Sequence, residues 1–326
     1  GALSAMRLAI IGAGLAGLAC AKRLRALGME ARLFDKGKGP SGRLASRRIA
    51  TPLGEAVFDM GAQYFTVRDR DFAAQVAQWL AKDLVAPWPE AGSGAWVGVP
   101  TMAAPLKAMA ANHDIRWNTF VGGVSREGRV WRLHLKEGDE APFDAVIIAL
   151  PAEQAMPLLA LNDIDFMNRS AASVSQPCWT GLFAFDAPLE TSSPVLRDGR
   201  VLAWAARNTS KPDRAGPEAW VAQAQPAWSQ AHLERTPDEV ADILLAELFE
   251  ITGVPPRTPL ASHAHRWRFA RSTGLDIGPL WSPALRLGVC GDWLLAPRVE
   301  SAWLSGHRLA EIMSRDLARL LDGDAA

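Results

Sequence analysis

Arg7–Ile11 reads RLAII, a short apolar run of the kind that forms a buried strand. Gly12-Ala13-Gly14-Leu15-Ala16-Gly17 follows at once. Helical spacing then runs over Leu18–Leu27 and stops at Gly28. A second strand is predicted over Glu30–Phe34, ending in Asp35. Val121–Val124 and Arg129–Leu135 predict paired strands, and Phe143–Leu150 predicts an apolar strand closed by Pro151. Val174–Phe185, Val201–Arg207 and His263–Ala270 predict strands of a larger sheet. Pro237–Thr252 predicts an amphipathic helix ending at Gly253. Leu285–Cys290 predicts a strand that runs into Gly291-Asp292, with a helix from about Ser301 toward Leu321. Thr209–Pro217 reads as a polar Pro/Gly loop.

The first of these units has the order strand, glycine turn, helix, strand, acid that a dinucleotide site needs. Gly12 makes the tight turn, Gly14 lets the backbone approach a pyrophosphate, and Gly17 lets the helix pack on the strand. The helix start at Leu15 and Ala16 offers N–H groups and a partial positive charge to phosphates. Asp35 follows Gly12 by 23 positions, the separation expected of a ribose-binding acid, with Lys36 beside it. This unit alone does not separate NAD from FAD.

Three further regions favour FAD. After Asp35 comes a glycine-rich loop, Gly37-Lys38-Gly39-Pro40-Ser41-Gly42-Arg43, where the Arg43 guanidinium could pair with a pyrophosphate bidentately. In Asp59-Met60-Gly61-Ala62-Gln63-Tyr64-Phe65, Gly61 and Ala62 would let backbone lie against a flat ring. At the other end of the chain Asp292 stands at a strand end, and Val299-Glu300-Ser301-Ala302 opens a helix. An acid there suits a ribitol hydroxyl, and a helix N-terminus suits the negative charge of a reduced flavin pyrimidine.

Composition narrows the reading. The chain has 326 residues, net charge zero, 49% apolar and 21% charged residues, which excludes a disordered chain. Its length suggests two domains, and zero net charge argues against a nucleic-acid binder. Seven of the 35 basic residues are lysine, and Tyr64 is the single tyrosine among 13 tryptophans and 11 phenylalanines. Cys20, Cys178 and Cys290 are too far apart for a zinc knuckle or a redox pair, which fits a reducing, cytoplasmic compartment. The apolar stretch 8–18 is too short to span a bilayer, so no membrane association is expected. Residues 1–5 precede Met6 and read as a tag remnant.

No Ser-His-Asp order, metal cluster or paired carboxylate motif is present. His263 and His265 share a strand face but lack a third ligand, so no metal is expected. They read as a polar face or as a substrate wall. A dinucleotide substrate would need a cation, and Arg298, just before the last helix, is the best placed by sequence; Arg266, Arg268 and Lys211 are weaker candidates.

The set Gly42-Arg43-Leu44-Ala45, Asp59-x-Gly61-Ala62-Gln63-Tyr64-Phe65, Trp96-Val97-Gly98-x-Pro100-x-Met102 and His265-Arg266-Trp267-Arg268-Phe269-Ala270 resembles the bacterial renalases, within the FAD-dependent amine-oxidase superfamily. The resemblance covers essentially the whole chain. Ser41 departs from it, since the superfamily usually has glycine there. The resemblance implies an α/β fold: a Rossmann-type FAD-binding domain interleaved with a mixed-sheet α+β substrate domain. The expected boundaries are 6–70, 101–157 and 282–326 for the FAD domain, and 71–100 and 158–281 for the substrate domain. It implies non-covalent FAD and a backbone contact from Val124 to the adenine. It implies a pocket walled by Trp96, Val97, Gly98, Val99 and Pro100, with Thr180 bonding a carboxamide. The implied reaction takes a hydride from 2- or 6-dihydroNAD(P), gives NAD(P)+ and reduces O2 to hydrogen peroxide. A hydride loss that makes the substrate aromatic requires no general base, which accords with the missing catalytic constellation. An amine oxidase remains a competing reading, weakened by scarce lysine and the lone tyrosine. A non-catalytic redox-sensing flavoprotein is a third.

Overall fold

The structure, a computed structural model, describes residues 1–40 and 42–325; Ser41, the departure noted above, lies outside them. The chain divides into two compact units that alternate along the sequence: 1–41, 106–174 and 272–326 form the first, 42–105 and 175–271 the second. Segment 1–41 carries β1 (Leu8–Ile11), α1 (Leu15–Ala26) and β2 (Ala31–Phe34). Segment 42–105 carries β3 (Ser46–Thr51), β4 (Gly54–Asp59), α2 (Arg70–Ala81), β5 (Val85–Pro87) and β6 (Trp96–Gly98), and α3 (Ala104–Ala110) begins near its end. Next come β7 (Ile115–Arg116), β8 (Val121–Glu127), β9 (Val130–Leu135), β10 (Glu140–Phe143), β11 (Ala145–Ile148), α4 (Ala152–Leu159) and α5 (Ile164–Ala172). Segment 175–271 carries β12 (Gln176–Phe185), β13 (Val195–Arg197), β14 (Leu202–Arg207), β15 (Glu218–Ala224), α6 (Pro226–Ala231), α7 (Pro237–Thr252) and β16 (Ala261–Arg271). The last segment carries β17 (Leu280–Ser282), β18 (Leu287–Val289) and α8 (Val299–Ala325).

The first unit is built on a six-stranded sheet in the order β17-β18-β11-β1-β2-β7. Every pair is parallel except β17 on β18. All residues of β1 and β11 are buried, as strands covered on both faces must be. The predicted strand 143–150 is in fact two. Asp144 breaks it, binding the Arg7 carbonyl through its N–H and the Arg7 N–H through its carboxylate. Phe143 therefore ends a strand of a separate three-stranded sheet, while Ala145 opens a strand of the large one. Helix α1 starts at Leu15 rather than Leu18, because the glycine turn is itself the helix N-terminus.

The second unit centres on a five-stranded antiparallel sheet, β13-β14-β15-β12-β16. Its α7 face buries Trp179, Phe183, Trp220, Leu244 and Leu248. Its other face carries the β3–β4 hairpin, whose Ala56 and Phe58 meet Leu182, Ala184, Ala219 and Val221. This packing places residues 42–70 in the second unit, where the sequence reading had grouped them with the glycine turn. Conversely, the segments 158–174 and 272–281 fall in the first unit, while 101–105 belong to the second. Helix α7 has the predicted bounds, with Thr236 accepting from the Glu239 N–H and Gly253 in the left-handed conformation, φ +73°. Helix α2 has a local signal too: Asp69 caps its first turn, and Phe72, Val76 and Trp79 repeat on its buried face.

Two close backbone approaches hold the first unit. A Cβ at Gly17 would stand 2.0 Å from the Gly12 carbonyl oxygen, and one at Gly306 would stand 1.9 Å from that of Ala16. Helices α1 and α8 thus touch backbone to backbone. Gly306→Ala should destabilise the protein by about 1–3 kcal/mol through overpacking. Gly323→Ala on the same helix meets nothing within 4 Å and should be neutral or stabilising by up to about 1 kcal/mol. Thermal unfolding of the two variants checks this; equal midpoints would remove the packing argument.

Candidate active site

In the first unit the expected nucleotide residues share one edge. β1, β2, β11 and β18 all end there in parallel, leading into Gly12, Asp35, Ala149 and Cys290-Gly291-Asp292. β2 and β11 flank β1 on opposite sides, which makes its carboxyl end the switch point where open α/β sheets bind ligands. Gly12 has φ +107°, and a Cβ on it would stand 2.2 Å from the Ala149 oxygen, so only glycine turns there. Open space surrounds the missing Cβ of Gly14. The helix it caps has no side-chain cap and no acid in its first turn, which leaves its positive end for a phosphate. The Asp35 carboxylate accepts from Ala13 N–H at 3.0 Å and Gly37 N–H at 2.9 Å. Ala13, expected to face the cofactor, thus commits its amide to fixing Asp35. A carboxylate has about four acceptor sites, so two hydroxyls can still be bound.

Asp292 and Glu300 are buried, while Arg298 is exposed at the start of α8. The Gly291 N–H donates to Ser305 Oγ at 2.8 Å, which fixes the turn before Asp292. Helix α8 begins at Val299, so Val299, Glu300, Ser301 and Ala302 form its first turn, two residues earlier than predicted. The Val124 carbonyl accepts from Asn162 Nδ2 at 3.0 Å. Lys36 is exposed.

The second unit contains a buried charge cluster around Asp59. Its Oδ2 accepts from Lys211 Nζ at 3.0 Å and from Arg214 Nη2 at 2.7 Å. Its Oδ1 accepts from the Met102 N–H at 2.9 Å. Lys211 also reaches Gln63 Oε1 at 3.2 Å, and Arg214 Nη1 donates to the Gly98 carbonyl at 2.7 Å. The side chains of Asp59, Lys211 and Arg214 have no solvent exposure. Burial alone would raise the Asp59 carboxyl, but Lys211, Arg214 and the Met102 amide hold it below the ordinary value. Burial pushes Lys211 down to about 8, against the pull of Asp59. One carboxylate therefore ties together the end of β4, the 98–102 turn and the 208–214 loop. The predicted polar loop 209–217 is thus partly interior: Asn208 and Lys211 are buried.

Several expected roles change on this geometry. Gln63 is spent inside the cluster, its Nε2 on the Asp59 and Gly61 carbonyls. A Cβ at Gly61 would stand 2.0 Å from the Arg43 oxygen, and the Ala62 N–H donates to that same oxygen at 2.7 Å. The press of the 42–44 turn by itself requires glycine at position 61. Gly42 has φ +67° and opens that turn. Phe65 is core, edge-on to Phe72 and Trp79. Val97 and Val99 are buried, so in the run 96–100 only Trp96 and Pro100 keep exposure for a wall. Thr180 is fully buried, opposite His265 in the β12–β16 ladder.

The same sheet face continues from the Leu182–Ala184 core to Thr180, Gln223, His265 and Trp267. Gln223 Nε2 donates to the Gly61 carbonyl at 3.0 Å and Trp267 Nε1 to that of Met60 at 3.1 Å. Tyr64 stacks on Trp204 at 5.5 Å, with Trp88 tilted against both rings. Cations of the chain already lie over two of these rings, Arg197 at 4.8 Å from Trp204 and Lys211 at 5.0 Å from Trp88. Asp59, Arg214, Trp204 and Gln223 have no role that their local sequence assigns. The signal available for the first was its place in the 59–65 motif, and for the second its place two residues beyond a rare Lys-Pro pair. A separate open cavity of about 560 Å³ lies along α7, on the opposite face of the sheet.

This chain belongs to the flavin containing amine oxidoreductase family, which residues 89–314 match. Residues 10–79 match an NAD(P)-binding Rossmann-like domain. The chain is 31% identical to the tRNA 5-methylaminomethyl-2-thiouridine biosynthesis bifunctional protein MnmC of Caulobacter sp. (strain K31) over 191 residues, 46% of this chain. It spans only 31% of that relative's length. Among solved structures, cyclohexylamine oxidase from Brevibacterium oxydans IH-35A superposes with TM-score 0.72 at 13% identity, covering 96% of this chain and 99% of the other. A triple mutant of putrescine oxidase gives 0.72 at 14% identity, over 95% and 99%. These likenesses carry the fold, and the fold is the expected one: a Rossmann-like unit with a mixed-sheet unit of the flavin amine-oxidase type. The cofactor of the family is FAD, and the open helix N-terminus at Gly14 with the acid at Asp35 fits its adenine nucleotide. Among the described residues, no helix is long and apolar enough to cross a membrane.

Removing the central carboxylate should be costly. Asp59→Asn leaves two buried cations without a counterion, an expected loss of about 3–5 kcal/mol, read from chemical denaturation. A loss under 1 kcal/mol would show that the cluster is not under charge constraint. Lys211 supplies a pH signature. Its value near 8 in the fold lies below the ordinary 10.5, so the unfolded chain holds this proton more tightly. Relative to Lys211→Met, the wild-type protein should gain stability as pH rises from about 8 to 10.5 and lose it as pH falls through 8. Parallel stability–pH curves for the two proteins would contradict this.

Proposed function

We propose that this FAD-dependent oxidoreductase takes a hydride from isomeric dihydronicotinamide dinucleotides, the 2- and 6-dihydro forms of NAD(P)H, to give NAD(P)+. The observation that carries the reading is the saturation of Asp59. The buried carboxylate of the second unit already accepts from two cations and an amide. It offers nothing to a substrate ammonium, and Arg197 and Lys211 already lie over two of the aromatic rings that could cage one. What the sheet face presents instead is neutral and hydrogen-bonding, with the half-buried Gln223 suited to a carboxamide.

Bound FAD supplies the two-electron acceptor, and with a proton O2 takes the pair to give hydrogen peroxide. The residues position the donor and need move no proton, because the dihydropyridine becomes aromatic as its hydride leaves. Gly12, Gly14, Leu15, Ala16 and Gly17 would hold the pyrophosphate, with Asp35 on the ribose and Lys36 nearby. Arg43 and the 61–65 backbone would border the flavin, Asp292 would bind the ribitol, and the first turn of α8 would face the pyrimidine. Trp96 and Pro100 would meet the nicotinamide, and Arg298 a substrate phosphate. The FAD is non-covalent in this reading. Burial raises the Cys178 thiol to about 11 and that of Cys290 to about 12, which leaves both unreactive. A small, phosphate-bearing substrate and a cytoplasmic setting accord with these assignments.

Anaerobic mixing of the yellow protein with 2- or 6-dihydroNAD should bleach the flavin rapidly, and simple amines should not. Bleaching by amines alone would favour an amine oxidase; no bleaching by any donor would favour a non-catalytic redox sensor. Asp292→Ala should purify with less FAD, and full flavin content would cost Asp292 its role. Arg298→Ala should raise the dinucleotide KM several-fold with flavin content unchanged, and wild-type kinetics would remove Arg298 from the substrate site.

A further inference from the structure

On the hairpin that covers the five-stranded sheet, Arg47 stands opposite Phe58 in the β3–β4 ladder. Cross-strand partners share a face, and Phe58 faces Leu182 and Ala184 of β12. Arg47 therefore points at the sheet. Its neighbours there are on the edge strand β16: His263 pairs with Leu182 and His265 with Thr180, on that same sheet face. Both imidazoles register the Arg47 charge. Burial first and Arg47 second lower each of them, while Asp238 from the start of α7 pulls His263 slightly the other way. His265 is braced edge-on by Trp267, with ring centroids 4.5 Å apart.

Three of the other cations of these strands have partners on the chain. Arg48 pairs with Glu55, Arg268 with Glu234, and Arg266 donates to the Arg235 carbonyl. Among the described residues Arg47 makes no such pair, although it is half-buried. A half-buried guanidinium flanked by two imidazoles that stay neutral at pH 7 is a donor set in search of an anion.

We infer that Arg47, His263 and His265 form a phosphate subsite that binds the pyrophosphate-bearing tail of the substrate. The inference rests on the dinucleotide reading above, and it gives that reading an anchor for the non-reacting part of the molecule. Arg47 supplies the charge in a fixed fork. Each neutral imidazole supplies one N–H, and the tail adds binding without touching the reacting ring.

The test has two arms. In the first, ADP is titrated calorimetrically into FAD-loaded enzyme. Wild type should bind it, Arg47→Gln should bind about tenfold more weakly, Arg47→Lys should recover part of the loss, and His263→Gln should lose affinity severalfold. No ADP binding by wild type, or equal binding by all four proteins, overturns the subsite. In the second arm, KM is compared for 6-dihydroNAD and for the phosphate-free 6-dihydronicotinamide riboside. Arg47→Gln should raise the first about tenfold and leave the second, and both kcat values, unchanged. Equal shifts for the two substrates would mark a structural defect and overturn the assignment. If neither nicotinamide reduces the flavin, the proposed function fails, and the ADP arm still decides the subsite.

Discussion

The second unit depends on a single neutralisation, the buried Asp59 carboxylate against Lys211 and Arg214. A charge with no water contact must be paired, and here the pairing fixes three chain segments that are distant in sequence. Lys211 lies 152 residues from Asp59 and Arg214 lies 155. The Met102 amide and the Gly98 carbonyl complete the set. The motifs 59–65 and 96–102 keep their shape because both are bonded to one ion cluster, and the loop that closes it would otherwise be solvated. A hydrophobic cluster could hold the loops together as well, but with less directional control.

The first unit uses a different device, backbone against backbone at glycine. Gly17 admits the Gly12 carbonyl and Gly306 admits that of Ala16. These contacts draw the two ends of the chain into one unit and set the glycine turn, Asp35 and Asp292 along one edge of a parallel sheet. Such an edge is where an open α/β sheet receives its ligand. The two units differ in kind: one has an open helix N-terminus and Asp35 at a sheet edge, while the other has a polar sheet face with the strand that ends in Asp59 packed on that same side.

Much of this was legible in the sequence. The glycine turn, Asp35 and the strand into Asp292 follow local rules, because each depends on a backbone need met within a few residues. Helix α7 was readable to the residue for the same reason, with Thr236 and Gly253 marking its ends. What was not legible depends on long-range pairing. Lys211 and Arg214 sit in a stretch whose Pro, Gly and polar content predicts a solvated loop, and only a carboxylate 150 residues away draws them inside. Nothing near Gly61 in sequence shows that the Arg43 carbonyl requires glycine there. The hairpin 46–59 was grouped with its sequence neighbours, although its apolar face fits the distant strands β12 and β15. Asp144 splits an apolar run because it pairs with Arg7, which no local pattern reveals.

The claim that one carboxylate organises the second unit can be measured directly by amide hydrogen exchange on wild type and Asp59→Asn under native conditions. Exchange should accelerate together at 98–102 and 208–214, the segments bonded to Asp59, while β12, β15 and β16 keep their protection. Unchanged exchange at Met102, or a uniform acceleration across the whole sheet, would contradict the account.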